Sequence, residues 1–231
     1  MPRFNATAPG NAARVEPGTL GPVDFIRTHT RLQPVPFVPE LRMHTATDVI
    51  ALWESTESAE QSEMAPPFWA FPWAGGQAVA RYVLDHPETV TGRAVLDLAS
   101  GSGLVAMAAA LAGAESVVAN EIDRYADAAI AANALANSLA VTRRLGDLLD
   151  APARVADVIL AADVFYSRSM AGRMLRFMQR ARSAGVEVFA GDPGRAYVPR
   201  DALEQVAEYR IPVIRDLEDA DTKLVTVWRV R

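Results

Sequence analysis

Three observations predict an α/β protein built on an open, doubly wound sheet. Apolar runs of strand length alternate with Ala-rich or amphipathic stretches of helical length through most of the 231 residues. One run, residues 95–103 (VLDLASGSG), passes from three apolar residues broken by one Asp into a Gly-rich turn, and a small-residue helical stretch (104–112) follows at once. That is a buried parallel strand, a tight turn and a helix N-terminus, the order a nucleotide-type pocket requires. Finally, acids and glycines fall at the C-terminal ends of the expected strands, the edge where such sheets bind ligands.

Taken in order, residues 1–22 are rich in Pro, Gly, Ala and Thr without periodicity and read as a flexible tail. Between Phe25 and Pro39 the apolar positions are interrupted by Pro34 and Pro36, which predicts an extended or irregular segment. Residues 41–45 suit a short strand, and Asp48 can cap a helix running through Trp53 and Glu54. Residues 66–85 (PPFWAFPWAGGQAVARYVLD) start as an aromatic loop and turn helical from Gln77, with apolar spacing at Val79, Tyr82 and Val83. After the central strand and its helix, residues 116–123 (SVVANEID) form a second buried strand ending in acids, and 124–138 an Ala-rich helix. Residues 141–145 form a weak third strand ending at Gly146-Asp147, and 156–166 (ADVILAADVFY) a fourth. A helix over 171–181 leads to a fifth strand over 186–192. Residues 201–209 (DALEQVAEY) read as a helix, and 211–214 and 224–230 as two last strands, the second alternating like an antiparallel edge. The chain thus divides into a tail (1–22), an N-terminal extension covering the cofactor and substrate side (23–85) and a core (86–231).

Composition narrows the function classes. The chain is 50% hydrophobic and 22% charged, ordinary for a globular protein, and long enough for a large core. A net charge of −5 argues against nucleic acid as the main partner. Without cysteine there is no disulfide and no thiolate nucleophile, and His29, His44 and His86 form no ligand pair, so no metal site is expected. The longest apolar stretch, 104–114, is too short and too rich in Ala and Gly to span a membrane. The N-terminus has no apolar signal region. Lys223 is the only lysine among 23 Lys and Arg residues, and with so much Ala this points to GC-rich bacterial coding; a cytoplasmic enzyme is the default expectation, and a monomer is expected.

The motifs speak to chemistry. Gly101 and Gly103 let the backbone bend sharply and let a ligand lie against it. Glu121 follows Gly101 by 20 residues at the end of the second strand, where a carboxylate accepts both hydroxyls of a ribose. NAD and S-adenosyl-L-methionine both carry that ribose, and Gly101-x-Gly103-x-x-Ala106 matches the looser dinucleotide fingerprint. Asp97 separates the two, because an acid before the turn repels a pyrophosphate yet suits the ammonium of a methionyl group. An antiparallel last strand following a sixth is also a methyltransferase topology.

In succession, VLDLASGSG, VVANEID, LGDLL and LAADVFY resemble the motifs of seven-strand (class I) S-adenosylmethionine-dependent methyltransferases. The aromatic segment PFWAFPWAGGQAVARYVLD and the later GDPGR (191–195) narrow the resemblance to the electron transfer flavoprotein beta-subunit lysine methyltransferase family, over residues 39–230. The resemblance implies a Rossmann-like seven-strand sheet with an antiparallel last strand, S-adenosyl-L-methionine as cofactor, and lysine methylation of a protein partner, the electron transfer flavoprotein beta subunit being suspected. Carried over residue by residue, Asp97 approaches the methionyl amino group, Gly101 and Gly103 floor the pocket, and Glu121 holds the ribose. Asp147 accepts from the adenine amino group, while Trp73 and the Gly75-Gly76-Gln77 turn close the methionyl side. Asp163 and Tyr166 are the catalytic pair: Asp163 meets the incoming lysine, and Phe165 or Tyr166 lines its channel. Arg195 meets acidic groups on the substrate. The family's second acid after that Tyr is missing, since Ser167 and Arg168 follow.

Each assignment has a plainer rival. Asp97 can cap its own turn, Asp123 can take the place of Glu121, and Asp147 after Gly146 can be a turn residue. Trp69 and Trp73 can be a core plug. At the level of function, the rivals are methylation of a small amine or another protein such as a ribosomal protein, a nicotinamide-dependent oxidoreductase, and a nonenzymatic binding protein.

Overall fold

The computed structural model describes residues 21–60, 65–213 and 220–231. The expected tail lies almost wholly outside them. The segment expected to be irregular is ordered as helix α1 (Pro22–His29) and an antiparallel hairpin of β1 (Arg31–Val35) and β2 (Val38–Thr45). Its prolines are compatible with this. Pro22 stands in the first turn of a helix, where its missing N–H costs nothing. Pro34 and Pro39 sit in a two-stranded sheet, where both strands are edges and a lost donor is tolerated. Helix α2 (Val49–Glu60) follows; its first turn is held by Asp48, whose carboxylate accepts from the Ala51 amide at 3.0 Å. A 3-10 turn (Phe68–Ala70) and helix α3 (Ala74–Asp85) complete the extension.

The core begins with β3 (Ala94–Leu98), α4 (Leu104–Leu111), β4 (Ser116–Glu121), α5 (Arg124–Ala136) and β5 (Thr142–Leu145). It continues with β6 (Val158–Ala162), α6 (Arg168–Ser183), β7 (Glu187–Asp192), β8 (Leu203–Pro212) and β9 (Thr222–Val230). The seven core strands form one sheet in the order β5-β4-β3-β6-β7-β9-β8. β3, β4, β5, β6 and β7 are parallel, whereas β9 runs antiparallel to both β7 and β8. The strand order reverses at β3, which opens a crevice at the C-terminal edge between β3 and its neighbours.

One expectation is overturned. Residues 203–212 are strand β8, not part of a helix, and only a 3-10 turn (Arg200–Ala202) precedes them. Leu203, Val206 and Ala207 have helical spacing because a bulge between Gln205 and Ala207 breaks the alternation that would have marked a strand. The pairing with β9 continues across the bulge from Leu203 to Pro212, so tertiary pairing overrides local propensity. Ile214, the end of the sixth strand expected from sequence, is outside the described residues.

Alternation within β3 sets the faces of the core. Leu96 and Leu98 join Ile159, Phe165, Phe177 and Val188 on the side of α6. Val95 packs with Val105, Ala109, Ile130 and Leu160 on the side of α4 and α5. Asp97 shares the parity of Val95 and therefore lies under α4, only 1% exposed. The hairpin docks on α5 through amides that imitate a neighbouring strand. Asn133 Oδ1 accepts from the His44 amide at 2.7 Å, and Asn137 both accepts from the Arg42 amide (2.9 Å) and donates to its carbonyl (2.6 Å). One helical turn between the two Asn matches two residues of strand, so the spacings agree.

Candidate active site

The turn after β3 is wound by alternate left-handed residues. Ala99, Gly101 and Gly103 have φ of 56°, 56° and 83°. Such alternation turns successive amides toward one concavity, suited to electron-rich groups. Gly103 is required on packing grounds too, since a Cβ there would come within 3.2 Å of the Ile130 side chain. Asp97 anchors this turn from below: the Ser100 hydroxyl and the Ala106 amide both donate to its Oδ2, the latter at 2.9 Å. Burial pushes its pKa up to about 7, against the lowering effect of those two bonds. The visible bonds of Asp97 are thus those of the capping rival, made to the turn and to α4.

Geometry separates Glu121 from Asp123. Asp123 is the N-cap of α5 and accepts from the Tyr125 amide at 2.7 Å. Glu121, at the end of β4, accepts from the Gly101 amide at 2.7 Å on Oε1 and from the Ile122 amide at 2.9 Å on Oε2. Burial raises its pKa in spite of these bonds. Its donors are all backbone amides, so both oxygens are oriented while lone pairs remain for a ligand.

Glu121 and Asp147 line a small cleft of about 60 Å³ at the ends of β3, β4 and β5. Its other walls include the apolar side chains of Leu98, Ile122, Leu148 and Met170. Asp147 is not free within it: its Oδ1 accepts from the Leu149 amide (2.9 Å) and its Oδ2 from Arg173 (2.8 Å), which together hold its pKa below the usual range. Asn120 keeps this corner closed by donating to the carbonyls of Arg144 and Gly146, both at 2.8 Å.

The aromatic segment divides between core and rim. Trp69 is 1% exposed and stacks on Tyr125, so it is the core plug. Trp73 is half-buried at the N-cap of α3; its indole donates to the Phe68 carbonyl at 2.6 Å and packs edge-on against Phe68 and Phe71. Phe165 is wholly inside the core, which leaves Tyr166 at the surface, its ring 6.2 Å from that of Phe68. Burial, and next the charge of Glu121, raise the Tyr166 pKa.

Asp163 follows β6 in a left-handed conformation, φ 59°. A non-glycine residue here stores strain of order 1–3 kcal/mol, which the surrounding contacts offset. Its Oδ2 accepts from the Gly76 amide at 2.9 Å and its Oδ1 from Arg195 at 2.6 Å. Burial raises its pKa, and the Arg195 charge opposes that. Arg195 also reaches Asp192 at 3.3 Å, and Asp192, fully buried, accepts from the amides of Gly194 and Arg195 at 2.7 Å. The acids that Arg195 meets are therefore those of its own chain. The close approach of α3 depends on two glycines: a Cβ on Gly75 would lie 2.6 Å from Asp163 Oδ2, and one on Gly191 would lie 2.7 Å from the Gly75 carbonyl. Asp192 was not among the expected site residues, although the GDPGR string carries it.

Comparison with known proteins places the chain in a family. The family model of the ribosomal protein L11 methyltransferase (PrmA) matches residues 81–167. The electron transfer flavoprotein beta subunit lysine methyltransferase of Danio rerio is 36% identical over 197 residues, covering 83% of this chain and 76% of its own. This chain belongs to that family. The human relative is 32% identical, covering 82% of this chain and 74% of its own. Among solved structures, magnesium protoporphyrin IX methyltransferase from Synechocystis shares the fold, with a TM-score of 0.50 at 14% identity over 68% of this chain and 79% of that one. The chain is a methyltransferase with a seven-strand class I sheet. The expectation of a bacterial cytoplasmic enzyme is overturned, because these curated relatives come from animals. A bias of Arg over Lys reflects nucleotide composition and says nothing physical about compartment.

Proposed function

We propose that this methyltransferase uses S-adenosyl-L-methionine to methylate a lysine Nζ on a folded protein, with the electron transfer flavoprotein beta subunit, the protein for which its relatives are named, as the substrate. The observation that carries the cofactor assignment is Glu121, a carboxylate aligned by amides at the mouth of an apolar cleft. The residues fit the ligand: a ribose diol pairs with two oriented carboxylate oxygens, and an adenine ring packs against apolar side chains such as Ile122, Leu148 and Met170. In this reading Gly101 and Gly103 floor the pocket, Asp147 accepts from the adenine amino group with the lone pairs that Arg173 leaves over, and Trp73 bounds the methionyl side. Asp97 reaches the methionyl ammonium with its remaining acceptor capacity.

Bound S-adenosyl-L-methionine supplies a methyl group activated on a sulfonium. The chain's own work is to hold a neutral amine in line with it, a proximity effect. Positive charge would develop on the amine nitrogen as it takes up the methyl group, the sulfur keeping the electron pair, and Asp163 would stabilise that charge. Tyr166 and Phe68 flank the aliphatic stem of the lysine and keep water from it. The amine loses its proton to solvent before attack, so no covalent enzyme intermediate and no thiol is required. Incubation with methyl-labelled S-adenosyl-L-methionine and purified electron transfer flavoprotein tests this. Label on a lysine of the beta subunit is expected. Label confined to small amines, or to a ribosomal protein in a cell extract, would overturn the substrate assignment.

A further inference from the structure

The second basic group at the substrate side has no role in the scheme above. Arg195 Nη1 is bonded to Asp163 at 2.6 Å and to Asp192 at 3.3 Å, so its guanidinium is held between two carboxylates on neighbouring strands. Its side chain keeps 24% of its surface exposed, and Asp163 keeps 14%, while Asp192 is closed off. Any amine that reaches the exposed edge of Asp163 therefore comes within a few ångströms of a permanent cation. Arginine suits this position because it stays charged at every working pH.

We infer that Arg195 is a positioning residue that keeps Asp163 from binding the substrate lysine as a tight ammonium and biases that lysine toward its neutral, reactive form. The inference rests on the lysine-methylation reading and assigns the charge balance of the same site. The reason is electrostatic. A lone buried carboxylate at Asp163 would stabilise the protonated amine and hold it unreactive. Sharing that carboxylate with a guanidinium weakens the attraction, and the like charge nearby disfavours the ammonium further. The remaining acceptor capacity of Asp163 still meets the charge that develops on nitrogen during transfer.

The surroundings leave Arg195 as the principal cation in this balance. Against Asp163, α3 presents the Gly76 amide and no titratable side chain near the contact. β7 presents Asp192, and the turn after it Arg195. On the loop after β6, Tyr166 feels Glu121, while Arg168 lies over the Tyr197 ring at 5.6 Å and Arg200 borders Gly194.

The test is single-turnover methylation of purified electron transfer flavoprotein from pH 6.5 to 10.5, at saturating S-adenosyl-L-methionine, for the unaltered enzyme, R195Q and R195K. A free lysine titrates near 10.4, and the unaltered enzyme is expected to show its rising limb well below that. R195Q should move the midpoint of that limb up by about one pH unit, with cofactor affinity unchanged, and R195K should restore most of it. R195M, also neutral and of similar reach, reads the same quantity if R195Q does not fold. A neutral variant that is slower at every pH with an unmoved midpoint overturns the inference and leaves Arg195 a structural tie, while lysine methylation stands. An unaltered enzyme that labels no lysine overturns both.

Discussion

Glu121 and Asp163 end two strands that flank β3 on opposite sides, and both carboxylates are buried enough to have raised pKa values. Their partners differ. Glu121 is held by backbone amides of its own loop and of the Gly-rich turn, and it faces an apolar cleft. Asp163 is held by one amide and one side chain, in a left-handed backbone that only close packing sustains. The same position in the topology thus yields a rigid acceptor on one side and an adjustable charge on the other. Amide donors cannot leave, so they suit a site that must bind the same diol each time. A guanidinium can share its carboxylate with an incoming cation, which suits a site where charge changes during reaction.

This contrast predicts different failures. Glu121→Ala should weaken S-adenosyl-L-methionine binding by about 3 kcal/mol, because it removes the diol acceptor and leaves the Gly101 and Ile122 amides unpaired. Calorimetry measures this, and an unchanged dissociation constant would break the assignment. Asp163→Asn should leave cofactor affinity nearly untouched and slow single-turnover transfer about a hundredfold or more, about 2.7 kcal/mol. Transfer at the unaltered rate would reduce Asp163 to a scaffold residue.

Asp97 extends the comparison to a carboxylate buried beneath the glycine turn. Its pKa of about 7 in the folded chain exceeds that of an unfolded aspartate, so the folded form binds the proton more tightly. The stability it contributes is complete below about pH 4 and is lost as pH rises through 7. Replacement by Asn removes this dependence. Urea unfolding at pH 5 and pH 8 should therefore show the difference between the two proteins shifting by about 2 kcal/mol in favour of Asp97→Asn at the higher pH. A constant difference would mean that Asp97 is ionised throughout. The smallest effect concerns the neighbour of Glu121. Asp123→Ala should cost about 1 kcal/mol of stability through loss of the α5 cap, with cofactor binding unaffected. Weaker cofactor binding in that variant would mean the two acids share the work.

Legibility followed burial. β3, β4 and β7 are apolar runs closed by glycine or acid, and they were readable to within a residue or two, as were α4 and α5, whereas the expected fourth strand (156–166) ran four residues past the end of β6 at Ala162. Glu121 and Gly101 stood out as candidates by their spacing, and Asp163 through the family resemblance and its place after a strand. The strand expected over 41–45 is the second half of β2, but α1 and β1 were not legible, since their apolar residues are interrupted by prolines in sequence and find their partners on α4 and α5 only in the fold. β8 was misread because its bulge imitates a helical period.

The sequence by itself determined the parallel half of the sheet, the glycine turn and the set of acids at one edge, because these depend on local period, on backbone freedom and on where strands stop. The tertiary structure alone decided what each acid does. Asp97, Glu121, Asp123, Asp147 and Asp163 are the same chemistry in the sequence, and they differ by the donors that folding brings to them: a helix amide, a turn amide, an N-cap amide, Arg173 and Arg195. Four of those donors lie nine residues or more away along the chain, that of Asp163 32 away. The electrostatic environment of a carboxylate is a sum over neighbours in space, and no local pattern contains it.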